Sequence, residues 1–185
     1  MSVELLSFVD ENTFKPLYKA FVRSHLDSCS SVWAPFLIKH IEQIENVQKR
    51  ATRQISGFKD LSYPERLKKL KLPTLSYRRL RGDLIETYKI LHDVYDPQTV
   101  KFLNTRKESA DRSSIRGNTL TLFSQHSNLD LRLSSFSIRI VKSWNKLPES
   151  VVSAPSVNSF KNRLDKFYEN HELVYDRYKP EPKIK

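Results

Sequence analysis

Apolar side chains recur at helical spacing from residue 14 onward, and that repeat restricts the chain to helix-on-helix packing. Phe14, Leu17, Tyr18, Phe21 and Val22 share one face of a first helix. Pro35 interrupts the pattern, and Ile38, Ile41, Ile44, Val47, Ala51 and Ile55 rebuild it as a second stripe. Two amphipathic rods separated by a break read as a helical hairpin. Glycine is scarce, at three residues in 185, which argues further against a β-sandwich. The expected fold class is predominantly all-α: a helical bundle, a flexible linker, then a smaller helical unit with at most one or two short strands.

Local signals place the elements. Asp10, Asn12 or Thr13 can cap the first helix, with Pro16 in its opening turn. The second helix runs from about residue 38 to 55, and Gly57 stops it. Ser62 followed by Glu65 is a capping-box signature for a third helix reaching Leu70. Thr74 opens a fourth helix with Tyr77, Leu80, Leu84, Ile85, Tyr88, Leu91 and Tyr95 in one arc, closed by Pro97. Residues 104–118 are polar, charged and aperiodic, as expected of a mobile linker. Residues 119–123, TLTLF, alternate weakly and suit a short strand. Helices are expected over 135–147 and again after Ser156, with Val157, Phe160, Leu164 and Phe167 on one face. The domain layout expected is a hairpin over 1–58, a basic helix pair over 59–103, the linker over 104–118, a helical unit over 119–170 and a disordered tail over 171–185.

Charge is unevenly placed. The formal net charge is +11, and two blocks hold the excess. Residues 59–81 carry eight Lys/Arg against two Asp/Glu, and residues 105–147 carry eight against three. Such clustering points to a polyanionic partner, nucleic acid before an acidic membrane surface, with a merely solvated basic surface as the alternative. Cys29 is the only cysteine, so no internal disulfide or cysteine metal set exists. With no apolar run of membrane-spanning length and no signal peptide at the N-terminus, the expectation is a soluble, intracellular protein that does not enter a membrane.

The basic residues divide into two roles. Lys68, Lys69, Lys71, Arg78 and Arg79 fall outside the apolar arcs, as phosphate contacts or simply as solvated charge. Arg81 falls inside the arc beside Tyr88 and is expected to be structural, paired with Glu65 or Asp83. In the helix over 135–147, Arg139, Lys142 and Lys146 stack opposite Phe136, Ile140, Val141, Trp144 and Leu147, a basic stripe able to track a phosphate backbone. Trp144 and Trp33 are expected as packing anchors rather than base platforms. Gln48 lies within the apolar arc of the second helix and is expected to tie helices together. His25 and His92 read as core histidines, and Cys29 as a structural thiol. Phe8-Val9-Asp10-Glu11 resembles an aromatic–x–Asp–Asp metal box, but Asp10 serves better as a helix N-terminal charge. No catalytic residue, metal site or cofactor is expected, because no nucleophile–base set, phosphate-cradling glycine loop or ligand cluster is recognisable.

Three collinear stretches carry a family resemblance. They are LYKAFVRSHL through VW and on to QKRATRQISGF, then LSYPERLKKLKLPTLSYRRLRGDLIE, then FSIRIVKSWNKLPESVVSAPSVNSFKNRLDK. Together they resemble the thumb and post-thumb region of reverse transcriptases from non-LTR retrotransposons of the jockey or LINE type. In that family the thumb follows a palm that holds the catalytic aspartates and Mg2+. The resemblance therefore implies a C-terminal fragment, without enzymatic activity by itself, of an RNA-directed DNA polymerase. It implies backbone binding of an RNA–DNA hybrid or nucleic-acid duplex without sequence specificity, and docking on palm and fingers. About five to six phosphate contacts would give a log K against log salt slope of about −5. The alternative is a helical protein-interaction scaffold derived from such an element.

Overall fold

The computed structural model describes residues 10–96, 103, 105, 118–123 and 126–176. Every regular element among them is helical, and the one β-type contact is an isolated antiparallel bridge between Thr105 and Leu122. The fold is predominantly all-α. Its described residues divide into two compact units, one of residues 10–79 with 172–176 and one within 80–171. That division differs from the expected boundaries. It falls inside a single helix rather than at residue 58 or in a linker, and residues 172–176 belong with the first unit.

In the first unit, α1 spans Glu11–Leu17 and widens into a π-helical stretch over Tyr18–Arg23 before α2, Ser24–Asp27. Asp10 caps α1, accepting from the Thr13 amide at 3.1 Å. Pro16 stands inside α1 rather than in its first turn, so Asn12 loses its amide partner and the wider turns follow at once. The widening shifts the helical phase. Phe14 and Tyr18 are buried and stacked at 5.4 Å, while Phe21, expected on the same face, is 71% exposed.

A short α3, Ser30–Trp33, precedes α4, Ile38–Arg53. The buried side chains of α4 are Glu45, Gln48 and Thr52, whereas Ile38 and Val47 lie exposed. The apolar stripe expected over 38–55 is thus only partly buried, and a polar edge of the helix faces inward. Gly57, at φ +76°, turns the chain after Ile55. α5 covers Tyr63–Leu70, and the Ser62 amide donates to the Glu65 carboxylate at 2.8 Å as the capping box requires. Leu67, Leu70 and Leu72 join Phe14, Tyr18, Ile55 and Phe58 in one core, with Tyr175 packed against it. The expected disordered tail is ordered at its start. Glu172–Val174 forms one 3-10 turn, and the Val174 carbonyl accepts from the Thr74 amide at 2.9 Å.

α6 covers Leu75–Leu91, its first turn belonging to the first unit and the rest to the second. It ends earlier than the apolar pattern suggested. Asp93 adopts a left-handed conformation, and the Val94 and Asp93 amides donate to Lys89 and Ile90 as a Schellman stop. The second unit continues with α7 (Asp130–Leu133), α8 (Phe136–Asn145), α9 (Glu149–Val152) and α10 (Val157–Tyr168). Its core holds Leu84, Tyr88, Ile140, Trp144, Leu147, Phe160 and Leu164. Tyr88 stacks on Phe160 at 4.4 Å and donates its hydroxyl to the Ala154 carbonyl at 2.6 Å.

The segment expected as a strand, 119–123, is held by side chains instead. Asn145 accepts from the Leu122 amide at 2.8 Å and donates to its carbonyl at 3.0 Å, and the Asn118 amide donates to Leu147 O at 3.1 Å. Asn118, the last residue of the expected linker, is buried. Residues 106–117 and the tail after 176 lie outside the described residues, as do Phe8 and Val9. His25 is exposed and not a core residue, and Cys29 is exposed at a left-handed backbone position rather than packed inside. His92 is half-buried, stacked 4.1 Å from Tyr88, with its Nε2 3.1 Å from the Val152 carbonyl oxygen.

Candidate nucleic-acid interface

The structure separates the expected phosphate contacts into two groups. Lys68, Lys69 and Lys71 are exposed at the C-terminal end of α5, where cations also favour the helix dipole. Lys69 Nζ stands 4.5 Å from the Phe58 ring centroid, a contact worth about 0.5–1 kcal/mol at an exposed site. None of the three enters a salt bridge among the described residues. Arg78 and Arg79 behave differently. Arg78 donates from Nε at 2.8 Å to Asp27 Oδ2, and its Nη2 lies 2.6 Å from the same oxygen. Arg79 is 7% exposed and donates to Ser76 Oγ at 3.3 Å. Both were expected on the outer surface. Their guanidinium groups are occupied within the protein, which leaves α5 and not α6 as the basic face.

The partner found for Arg81 is not one of the two expected, Glu65 or Asp83. Arg81 closes on Asp165 of α10 through two hydrogen bonds of 2.6 and 2.7 Å. Asp83 is taken by Arg139, whose Nε and Nη2 donate at 3.0 and 3.1 Å. Arg139 also donates to Ser134 O at 3.0 Å, so this member of the expected α8 stripe is a structural tie. Lys142 remains exposed, and Lys146 is half-buried at the α8 C-cap.

The residues expected as anchors have the following surroundings. Trp144 is fully buried, donates from Nε1 to Leu120 O at 2.9 Å and stacks 5.9 Å from Phe160. Trp33 is partly exposed and donates from Nε1 to Ser28 O. Gln48 is fully buried, accepts from Tyr18 Oη at 2.8 Å, and donates to Tyr63 Oη at 3.0 Å and Pro73 O at 3.1 Å. Glu45 extends this network. It accepts from Tyr63 Oη and from the Leu75 and Ser76 amides, the last two at 3.2 Å, placing a buried carboxylate at the N-terminus of α6. Burial, then the neighbouring Glu45 charge, pushes the Tyr18 and Tyr63 phenols well above their ordinary range.

A second basic surface escaped the charge pattern. Lys49, Arg50, Arg53, Lys59 and Arg66 converge on a cleft of about 480 Å3, also lined by Asn46, Leu61, Ser62 and Tyr63. No carboxylate is among the described residues that line it. Arg66 is 3% exposed, and among the described residues its Nε and Nη1 have no hydrogen-bond partner. Its guanidinium carbon sits 5.7 Å from the Tyr63 ring centroid. Burial, then the like charge of Arg53, lowers the Arg66 pKa from its ordinary value, yet an arginine keeps its proton. Residues 1–58 are nearly charge-balanced, which hid this grouping. The acids Glu42 and Glu45 line a different, neighbouring cleft with Asp176 and Tyr175.

Among the described residues no group of His, Cys, Asp and Glu could hold a metal ion, and no helix is long and apolar enough to cross a membrane. Compared with known proteins, the chain matches no family model, no curated protein and no solved structure.

Proposed function

We propose that the chain is a thumb and post-thumb fragment of a non-LTR retrotransposon-like reverse transcriptase, and that it binds duplex or RNA–DNA hybrid backbone without reading sequence. The observation that carries this reading is the exposed lysine end of α5. Lys68, Lys69 and Lys71 project from the last turn and cap of one helix and are engaged in no salt bridge among the described residues. Lys142 adds an exposed cation in the second unit. Point charges on flexible stems suit contacts to phosphate oxygens whose register varies from one duplex to the next. Bond-making is assigned to a palm that supplies the Mg2+ site, and no residue here is given a catalytic part. The deciding experiment is hybrid binding by the purified chain across a salt series, beside a primer-extension assay with Mg2+. Salt-steep binding without nucleotide incorporation supports the reading, and incorporation by the chain alone refutes it.

A second reading, a helical protein-interaction scaffold, draws support from the exposed apolar side chains of the first unit. Val32 is 86% exposed, with Phe36, Leu37 and Ile38 exposed close by in the chain. In the polymerase reading the same residues would face palm or fingers. Salt-insensitive association with a protein, and none with nucleic acid, favours the scaffold.

A further inference from the structure

We infer that the cleft between the C-terminal half of α4 and the start of α5 is a discrete phosphate-binding site with Arg66 in its wall. A guanidinium withdrawn from water normally keeps its donors satisfied, because a buried unpaired charge is among the costliest features a fold can carry. Arg66 is 3% exposed, and Nε and Nη1 find no acceptor among the described residues. No salt bridge to Arg66 is formed among the described residues. The other charged groups among the described residues lining the cleft are Lys49, Arg50, Arg53 and Lys59, all exposed and all positive, and Tyr63 beside them is a neutral phenol. Five cations without a carboxylate in one concavity repel one another, and a tetrahedral oxyanion removes that repulsion while accepting from the planar fork.

The ligand class follows from charge and size. A cleft of about 480 Å3 falls within the range of roughly 300–1,000 Å3 that holds a small organic ligand. A phosphate attached to a larger group therefore suits it better than a bare ion. The exposed side chain of Asn46 in the lining offers a donor to that attached group. The inference goes beyond backbone clamping by Lys68, Lys69 and Lys71 and does not depend on it, since the residues differ. One phosphate chemistry has two sources here, a free phosphate compound or a nucleic-acid strand.

The test titrates the full chain, at constant ionic strength set by chloride, with inorganic phosphate, a nucleoside monophosphate, and a short single strand with and without a 5′-phosphate. Saturable binding is expected. Preference for the 5′-phosphorylated strand assigns a chain end, equal binding of both strands assigns backbone phosphate, and binding of the small compounds alone assigns a free ligand. Arg66→Met should weaken binding roughly tenfold or more, the loss expected for one hydrogen bond to a charged group. The same variant should melt at a higher temperature than the parent in phosphate-free buffer, because an uncompensated charge is gone. Should Arg66→Met fail to fold, the exposed pair Arg53→Gln and Lys59→Gln must weaken the same titration. No saturable binding by any probe, or affinity unchanged in these variants, overturns the site.

Discussion

Arg139 of α8 meets Asp83 of α6 through two roughly parallel hydrogen bonds of 3.0 and 3.1 Å, and Asp83 is almost wholly buried at that contact. The geometry is the fork-on-carboxylate pairing that lysine cannot reproduce. It makes Arg139 a stability residue rather than a phosphate contact. Arg139→Met should cost about 2–3 kcal/mol in chemical denaturation, because Asp83 is left charged in a poor environment. Adding Asp83→Leu to it should recover part of that loss, since replacing both partners removes the stranded charge. Nucleic-acid affinity should be untouched in either variant under conditions where it is folded. A drop in affinity without a drop in stability would return Arg139 to the binding face.

The Gln48 network makes a pH statement. Tyr18 and Tyr63 have folded-state pKa values raised above the ordinary 10.0, chiefly by burial and then by Glu45. A raised pKa means the unfolded chain gives up the phenolic proton first. The stabilisation is therefore complete below pH 10 and falls as pH climbs from there toward the folded values. Denaturation midpoints measured upward from neutral pH should hold and then drop, with tyrosinate absorbance appearing together with unfolding. In Tyr63→Phe the alkaline fall should be shallower, although stability at neutral pH is lower because Glu45 and Gln48 each lose a partner.

That network also shows what the sequence could and could not disclose. The capping box at Ser62 and Glu65 was legible because both partners lie within one turn. Burial of Trp144, Tyr88 and Phe160 was legible because large apolar residues recurred at helical spacing. The inward face of α4 was not. It carries Glu45, Gln48 and Thr52, of which only Gln48 was placed in the apolar arc, while Ile38 and Val47 of that arc are exposed. Arg78 and Arg139 were assigned to solvent because their acceptors are supplied by the fold. Asp83 stands 56 positions before Arg139, and no spacing rule couples them. Phe21 was misplaced by the π-helical turns after Pro16, which break the regular repeat on which the reading rested. The Lys49–Arg66 cleft was missed because charge was counted in blocks along the chain, whereas the cleft gathers cations from two blocks.

Lys71 offers a separation of stability from binding. It sits at φ 51°, with its amide donating to Lys68 O at 3.1 Å and the Leu72 amide to Leu67 O at 3.0 Å, the Schellman arrangement that glycine usually occupies. A left-handed conformation costs a side-chain-bearing residue roughly 1–2 kcal/mol, partly offset in glycine by extra freedom in the unfolded chain. Lys71→Gly should therefore raise stability, by about 0.5–1 kcal/mol on balance. A gain in denaturation midpoint accompanied by weaker hybrid binding would identify Lys71 as a residue held in a strained conformation for its charge. A gain in stability with unchanged binding would remove it from the interface.

Neutralising the α5 end tests the central proposal most directly. Each phosphate neutralised by a lysine contributes about 0.9 to the magnitude of the log K against log salt slope on a duplex. With Arg78, Arg79 and Arg139 engaged within the protein, the proposed function assigns the principal contacts of the first unit outside the Arg66 cleft to Lys68, Lys69 and Lys71. Converting all three to Gln should flatten the slope by about 3 units and leave the helical circular-dichroism signal in place, because these side chains are exposed. Lys142→Gln should flatten it by at most about 1 unit. A parallel titration with Arg53→Gln and Lys59→Gln separates the two basic surfaces. If the α5 triple variant keeps the parent's slope while the cleft variant loses it, duplex binding belongs to the cleft. If neither changes it, electrostatic clamping by these helices is wrong, and the exposed apolar side chains around Val32 become the surface to pursue.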